Sequence, residues 1–161
     1  KIRMRKYIDS DLCFIEIKEK QNSGMTNKTR CTIGDLETIL SEKSKEFIKK
    51  TTKKDLVLKP VLYNYFQRFT LVNTQRSERV TIDSCLNYKT NDATKALQNI
   101  VVIEVKQEKQ NVQTPIYKAL KANKIRTSSF SKYCIGVANL VEGIKANRFK
   151  ELNLKINKLT N

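Results

Sequence analysis

Apolar and polar residues alternate with a period of two along Ile2 to Tyr7, Cys13 to Lys20, a weaker Arg30 to Ile33, Leu62 to Val72, Glu78 to Leu86 and Asn99 to Gln107. That spacing predicts strands with one face turned to a core. Helical spacing takes over at Leu36, Ile39, Leu40, Phe47 and Ile48, at Ile116, Ala119 and Leu120, and at Phe149, Leu152, Ile156 and Leu159. Thr114 and Pro115 form a start signal for the middle helix, as cap and first-turn residue. The order of strands, a helix, more strands and then helices predicts an α+β fold dominated by antiparallel pairing. No linker, low-complexity stretch or repeat divides the chain, so a single domain over 1–161 is expected, with a lysine-rich helical excursion at about 35–54 and a C-terminal helical brace at about 139–160.

The face opposite each apolar row is ionic. Arg3 and Arg5 alternate with Ile2 and Met4, and Glu16, Lys18 and Lys20 oppose Cys13, Ile15 and Ile17. Arg68 and Thr70 oppose Phe69 and Leu71, Arg79, Thr81 and Asp83 oppose Val80 and Ile82, and Glu104 and Lys106 oppose Ile103 and Val105. Two arrangements satisfy this pattern. An open sheet could leave the ionic face in water, as most antiparallel sheets do. Alternatively, a closed antiparallel β-barrel could turn that face inward as a basic lumen with helices packed outside. A lumen of this kind would need water and anions to fill it, because an uncompensated buried cation costs several kcal/mol. Glu16, Asp83 and Glu104 add nothing to a plain anion groove, whereas a phosphoryl-transfer site needs acidic oxygens to hold Mg²⁺ or Mn²⁺ beside phosphates. Lateral pairing of those carboxylates with neighbouring cations is the plainer reading.

Charge sharpens the picture: 32 Lys and Arg against 16 Asp and Glu leave +16, on a chain apolar enough at 39% to bury a core. Histidine is absent, which excludes imidazole bases, Ser-His and Cys-His pairs and His-ligated metals. Cys13, Cys31, Cys85 and Cys134 are too dispersed for a zinc knuckle, and a reduced, cytoplasmic setting is expected. Apolar runs such as Ile100 to Ile103 fall far short of the roughly 20 residues of a membrane span. The chain opens at Lys1 inside a strand-like segment, so a further segment is expected ahead of it.

Five segments in order, Lys1-Ile-Arg-Met-Arg-Lys-Tyr7, Phe14-Ile-Glu-Ile-Lys18, Glu78-Arg-Val-Thr-Ile-Asp83, Val102-Ile-Glu-Val-Lys106 and Phe130-Ser-Lys-Tyr133 with Gly136, resemble the VTC domain. This is the polyphosphate polymerase domain of the vacuolar transporter chaperone proteins, with soluble bacterial relatives, in the triphosphate tunnel metalloenzyme superfamily. The resemblance implies a closed tunnel, a further N-terminal strand ahead of Lys1 and a set of roles. Arg3 and Arg5 resemble the family's R-x-R pair and Lys18 the lysine of its E-x-K strand, with Lys28 or Arg30 at a following basic position. Arg68 and Arg79 resemble arginines near the transferred phosphates, Glu104 the metal-binding glutamate with Lys106 beside it, and Ser131 and Lys132 a phosphate-contacting pair. Phe66 stands two residues before the strand arginine, where eukaryotic relatives carry tyrosine.

The expected reaction is metal-dependent transfer of the terminal phosphoryl group of ATP to orthophosphate or polyphosphate. Its transition state asks for positioning and charge neutralisation rather than a nucleophile. Arg3, Arg5, Arg68 and Arg79 would grip phosphoryl oxygens, Lys18, Lys28, Arg30, Lys106, Ser131 and Lys132 would bind phosphates, and Glu104 and Glu16 would hold Mn²⁺ or Mg²⁺. A related triphosphatase or a non-catalytic polyphosphate or nucleotide sensor would use the same residues. A nucleic-acid module is the remaining alternative, disfavoured because aromatics make up only 7% of the chain and do not sit on the ionic strand faces.

Overall fold

A computed structural model describes the chain except Ser23, Arg76 and Asn161, with the side chain of Thr160 also left aside. It forms two compact units, Lys1–Pro60 and Val61–Asn161. In the first, β1 (Ile2–Tyr7), β2 (Leu12–Lys20) and β3 (Thr26–Ile33) form an antiparallel sheet with β2 in the middle, followed by α1 (Glu42–Thr52). Period-two alternation does what it predicts here. Cys13, Ile15, Ile17 and Ile33 share one face and are buried together with Ile48 of α1, with Phe47 and Leu40 packed against them. The helix starts later than its apolar spacing begins, because Ser41 caps it: the Ser41 hydroxyl accepts a hydrogen bond from the Ser44 amide at 3.3 Å. It stops at Lys53, whose φ of 58° is left-handed.

In the second unit β5 (Glu78–Lys89) is central. β4 (Tyr63–Val72) pairs along one edge, and β6 (Thr94–Leu97) and β7 (Val102–Gln107) pair with successive halves of the other. Three strands are thus held by one long strand. After β7 come α2 (Pro115–Ala122), α3 (Lys132–Leu140), a 3-10 turn at Asn147–Phe149 and α4 (Lys150–Thr160). Thr114 stands at the N-cap of α2 with Pro115 following, but its side chain makes no capping hydrogen bond.

A bulge in β5 decides where this unit's core lies. Gln67 pairs with Ser84 and Tyr65 with Asn87, so Phe66 faces both Cys85 and Leu86, and Cys85 carries the strain with φ of 52°. The extra residue shifts the parity of everything after it. Leu86 and Tyr88 therefore join the face that holds Asp83, and they are buried there with Leu97, Ile100, Ile135 and Ile156. Helix α3 covers this half of the face, with Gly136 so close to Leu62 and Tyr88 that a Cβ would lie 2.5 and 2.6 Å from their side-chain carbons. The opposite face keeps Val80 buried and leaves Phe69 and Leu71 exposed.

The expected closed barrel does not form. Two separate antiparallel sheets are present among the described residues, and neither closes on itself. A barrel requires each strand to pair on both sides, whereas among the described residues β1 and β3 pair only with β2, and β4 only with β5. Alternation along a strand is a local property shared by open and closed sheets, and closure depends on ladders between strands that the pattern does not specify. No helix among the described residues is long and apolar enough to cross a membrane.

Candidate functional site

Each unit carries a cationic sheet face organised around one buried carboxylate. In the first unit, cross-strand register lines up Arg3 with Glu16 and Glu16 with Arg30, and Lys18 with Lys28. Arg5 belongs to the same face by parity. Glu16 is only 1% exposed although it lies on the ionic side, because cations cover it. Arg3 donates from Nε to Oε2 at 2.7 Å with Nη2 2.5 Å from the same oxygen, and Lys28 Nζ lies 2.5 Å from Oε1. Burial raises the pKa of this carboxyl, and the hydrogen bonds from Lys28 and Arg3 more than reverse that, pulling it down to about 2.

The remaining arginines of this face rest on rings. Arg30, opposite Glu16 in register, lies 4.8 Å above the Phe14 ring instead of reaching the carboxylate. Arg5 lies 5.6 Å from the Tyr7 ring centroid and donates to its hydroxyl at 2.9 Å. Tyr7 and Phe14 meet edge to face at 6.2 Å. Aromatics therefore do occupy the ionic face of this sheet, contrary to the expectation from sequence, although cations already cover them. Lys18 stands opposite Lys28 in register, and Glu16 neutralises Lys28.

In the second unit Asp83 plays the part of Glu16. It is fully buried, and Arg68 reaches it from the neighbouring strand with a bidentate grip, Nε to Oδ1 at 2.6 Å and Nη2 to Oδ2 at 2.7 Å. Lys132, in the first turn of α3, also pairs with Oδ2. Both cations also lie over the Phe66 ring, Arg68 at 5.2 Å and Lys132 at 5.0 Å. Burial raises the Asp83 pKa, and hydrogen bonds from Arg68 and Lys132 outweigh it, so the group stays ionised. Ser131 is the N-cap of α3, its hydroxyl accepting from the Cys134 amide at 3.3 Å. It thereby fixes the turn that presents Lys132.

Glu104 and Arg79 sit farther along the same face. Thr81 pairs with Glu104 and Arg79 with Lys106 in register. Glu104 is 49% exposed, with Lys106 Nζ 3.4 Å from its Oε1. As a metal-ligand set the residues fit only in part. Among the described residues no group of three or more acidic or cysteine side chains is gathered. Both oxygens of Glu16 are committed to Arg3 and Lys28, while Glu104 retains an open carboxylate of the kind that Mg²⁺ or Mn²⁺ uses together with substrate phosphates.

Within the first unit, then, Arg3, Arg5, Glu16, Lys18, Lys28 and Arg30 come together on one face. The second brings Arg68, Arg79, Glu104, Lys106, Ser131 and Lys132 to one face and its bordering helix. Sequence reasoning left Asp83 and Phe66 out of the site: it gave lateral pairing with neighbouring cations as the plainer reading of Asp83 without naming the partners, and noted Phe66 only as standing where relatives carry tyrosine. The signal for Asp83 was present in its parity with Arg79 and Thr81; that for Phe66 was its place two residues before Arg68, on the same side of the strand.

No curated protein and no solved structure matches the chain. The family model of the VTC domain matches residues 1–141. That match spans both cationic faces and all of α3, and the chain belongs to the VTC domain family.

Proposed function

We propose that this chain binds ATP, orthophosphate and polyphosphate on its cationic faces and transfers the terminal phosphoryl group of ATP to a polyphosphate chain. Membership of a family linked to polyphosphate polymerase activity supports this reading. The observation that carries it is the repeated pattern of a buried carboxylate holding two cations at fixed positions on a basic sheet face, Glu16 with Arg3 and Lys28, and Asp83 with Arg68 and Lys132. Arg3, Arg5, Arg68 and Arg79 present forked donors to phosphoryl oxygens. Lys18, Lys28, Arg30, Lys106 and Lys132 supply charge along the chain of phosphates, and the Ser131 hydroxyl, already accepting a hydrogen bond, donates its own proton to a phosphate oxygen. Glu104 is the residue suited to hold Mn²⁺ or Mg²⁺, which when bound would neutralise charge on the phosphates. Glu16 instead keeps Arg3 and Lys28 in place.

With ATP and Mn²⁺ the protein is expected to produce a polyphosphate ladder on a gel. Glu104→Gln should abolish it, a loss of at least about 100-fold, while leaving tripolyphosphate binding by calorimetry within about threefold. Wild-type protein that makes no ladder sinks the polymerase reading. If that protein still binds tripolyphosphate, the sensor reading replaces it. A specific observation favours that second reading: Glu104 stands as a lone open carboxylate, with no acidic cluster around it among the described residues.

A further inference from the structure

We propose that Asp83 is a positioning residue of the phosphate site, fixing Arg68 and Lys132 in one geometry over the Phe66 ring before any substrate arrives. The inference rests on reading this face as a phosphate site. Three observations carry it. Asp83 is fully buried in the central strand of its sheet, so its charge persists only because it is paired. Both of its oxygens are engaged, Oδ1 by Arg68 Nε at 2.6 Å and Oδ2 by Arg68 Nη2 at 2.7 Å and by Lys132, which leaves no room for a role as metal ligand. The two cations come from separate elements, β4 and the start of α3, yet converge on the same carboxylate and the same ring, at 5.2 and 5.0 Å.

Two cations this close repel each other, and each long side chain loses rotamer freedom when it is held in one place. A shared counter-charge removes the repulsion and holds both side chains, so the ordering cost falls on folding and not on the reaction. One carboxylate against two cations leaves the cluster with net positive charge, and it still attracts phosphate. Phe66 contributes a surface on which the flat guanidinium and the ammonium rest. A hydroxyl at this position is not needed for that part.

Asp83→Asn keeps the shape and removes the charge. The expected result is a turnover number at least about tenfold lower, with tripolyphosphate affinity unchanged or tighter because the site has become more positive. A merely structural role would instead lower both in proportion to the folded fraction. Phe66→Leu, which keeps an apolar side chain, should cost about three- to fivefold in turnover, and it decides the matter if the Asp83 variant does not fold. Nitrogen-proton NMR of the Arg68 Nε–H supplies a readout independent of activity: a sharp signal shifted by the Phe66 ring in wild type, broadened in Asp83→Asn and returned towards the ordinary arginine position in Phe66→Leu. Turnover within twofold of wild type in either folded variant, an unchanged Arg68 signal, or proportional loss of turnover and affinity overturns the proposal. If wild type makes no polyphosphate, the polymerase reading fails by itself. Asp83 is then judged by the Arg68 signal and tripolyphosphate binding alone, standing if Asp83→Asn loses the signal and keeps the affinity, and falling otherwise.

Discussion

Glu16 shows how a buried charge can be kept without a dedicated polar core. It lies in the middle of β2 with a hydrophobic neighbour on each side, Ile15 and Ile17, and its oxygens are met by Arg3 and Lys28 at 2.5 Å. Its carboxyl is drawn from an ordinary 4.5 down to about 2, so the folded state binds a proton less readily than the unfolded chain. Its contribution to stability is therefore complete above about pH 4.5 and is lost as pH falls through the folded value near 2. Urea midpoints measured across pH 2 to 6 should show that fall in wild type and a flatter profile in Glu16→Gln. At pH 7 that variant should lose about 1–3 kcal/mol by leaving buried donors and acceptors mismatched. A variant whose acid profile matches wild type would show that Glu16 does not carry the effect. The parity that puts Glu16 among cations is legible in the sequence. Which cations hold it is not, because Arg30 is its register partner and yet stacks on Phe14 while Lys28, offset along the strand, takes the oxygen.

At the scale of elements, one residue, Cys85, divides the face of the second sheet into an ionic half and an apolar half. Ahead of the bulge the face shows Arg79, Thr81 and Asp83; beyond it come Leu86 and Tyr88, and α3 lies over them. The site and the core thus share one surface, and Lys132 reaches the ionic half because α3 is anchored on the apolar half by Ile135 and Gly136. Gly136→Ala should test this anchoring. The added methyl meets the buried Tyr88 ring at 2.6 Å, and destabilisation of about 1–3 kcal/mol by thermal or chemical melting is expected, together with weaker order at Lys132. Unchanged stability would mean that α3 sits more loosely on the sheet than the contact distances indicate. Strand periodicity located β5, but it could not reveal the bulge. Cys85 reads simply as the next ionic-parity residue, and only its left-handed φ and the register across β4 show that the count slips there. The short β6 and helix α3 escaped for a related reason. Thr94–Leu97 is too brief to display a period, and α3 mixes Ile, Val and Gly at positions where helical propensity is weak.

For the molecule as a whole, the charge of +16 sets long-range attraction, while the two carboxylate-centred faces set what is held. A competition experiment separates the two effects. Polyphosphate should displace a labelled tripolyphosphate more effectively than single-stranded DNA or RNA at equal charge, and its affinity should fall with added salt as counterion release requires. Equal competition by nucleic acid would return the protein to the nucleic-acid reading. The sequence by itself determined the α+β class, the strand parities short of Cys85, the rows of cations opposite the apolar residues and the family, because all of these are written in local spacing and in short motifs. Only the tertiary structure decided that the sheets stay open, that Cys85 slips the register, and that Glu16 and Asp83 are hubs for cations. Each of those depends on which strands and side chains meet across long sequence separations, and alternation along a single strand is blind to its neighbours.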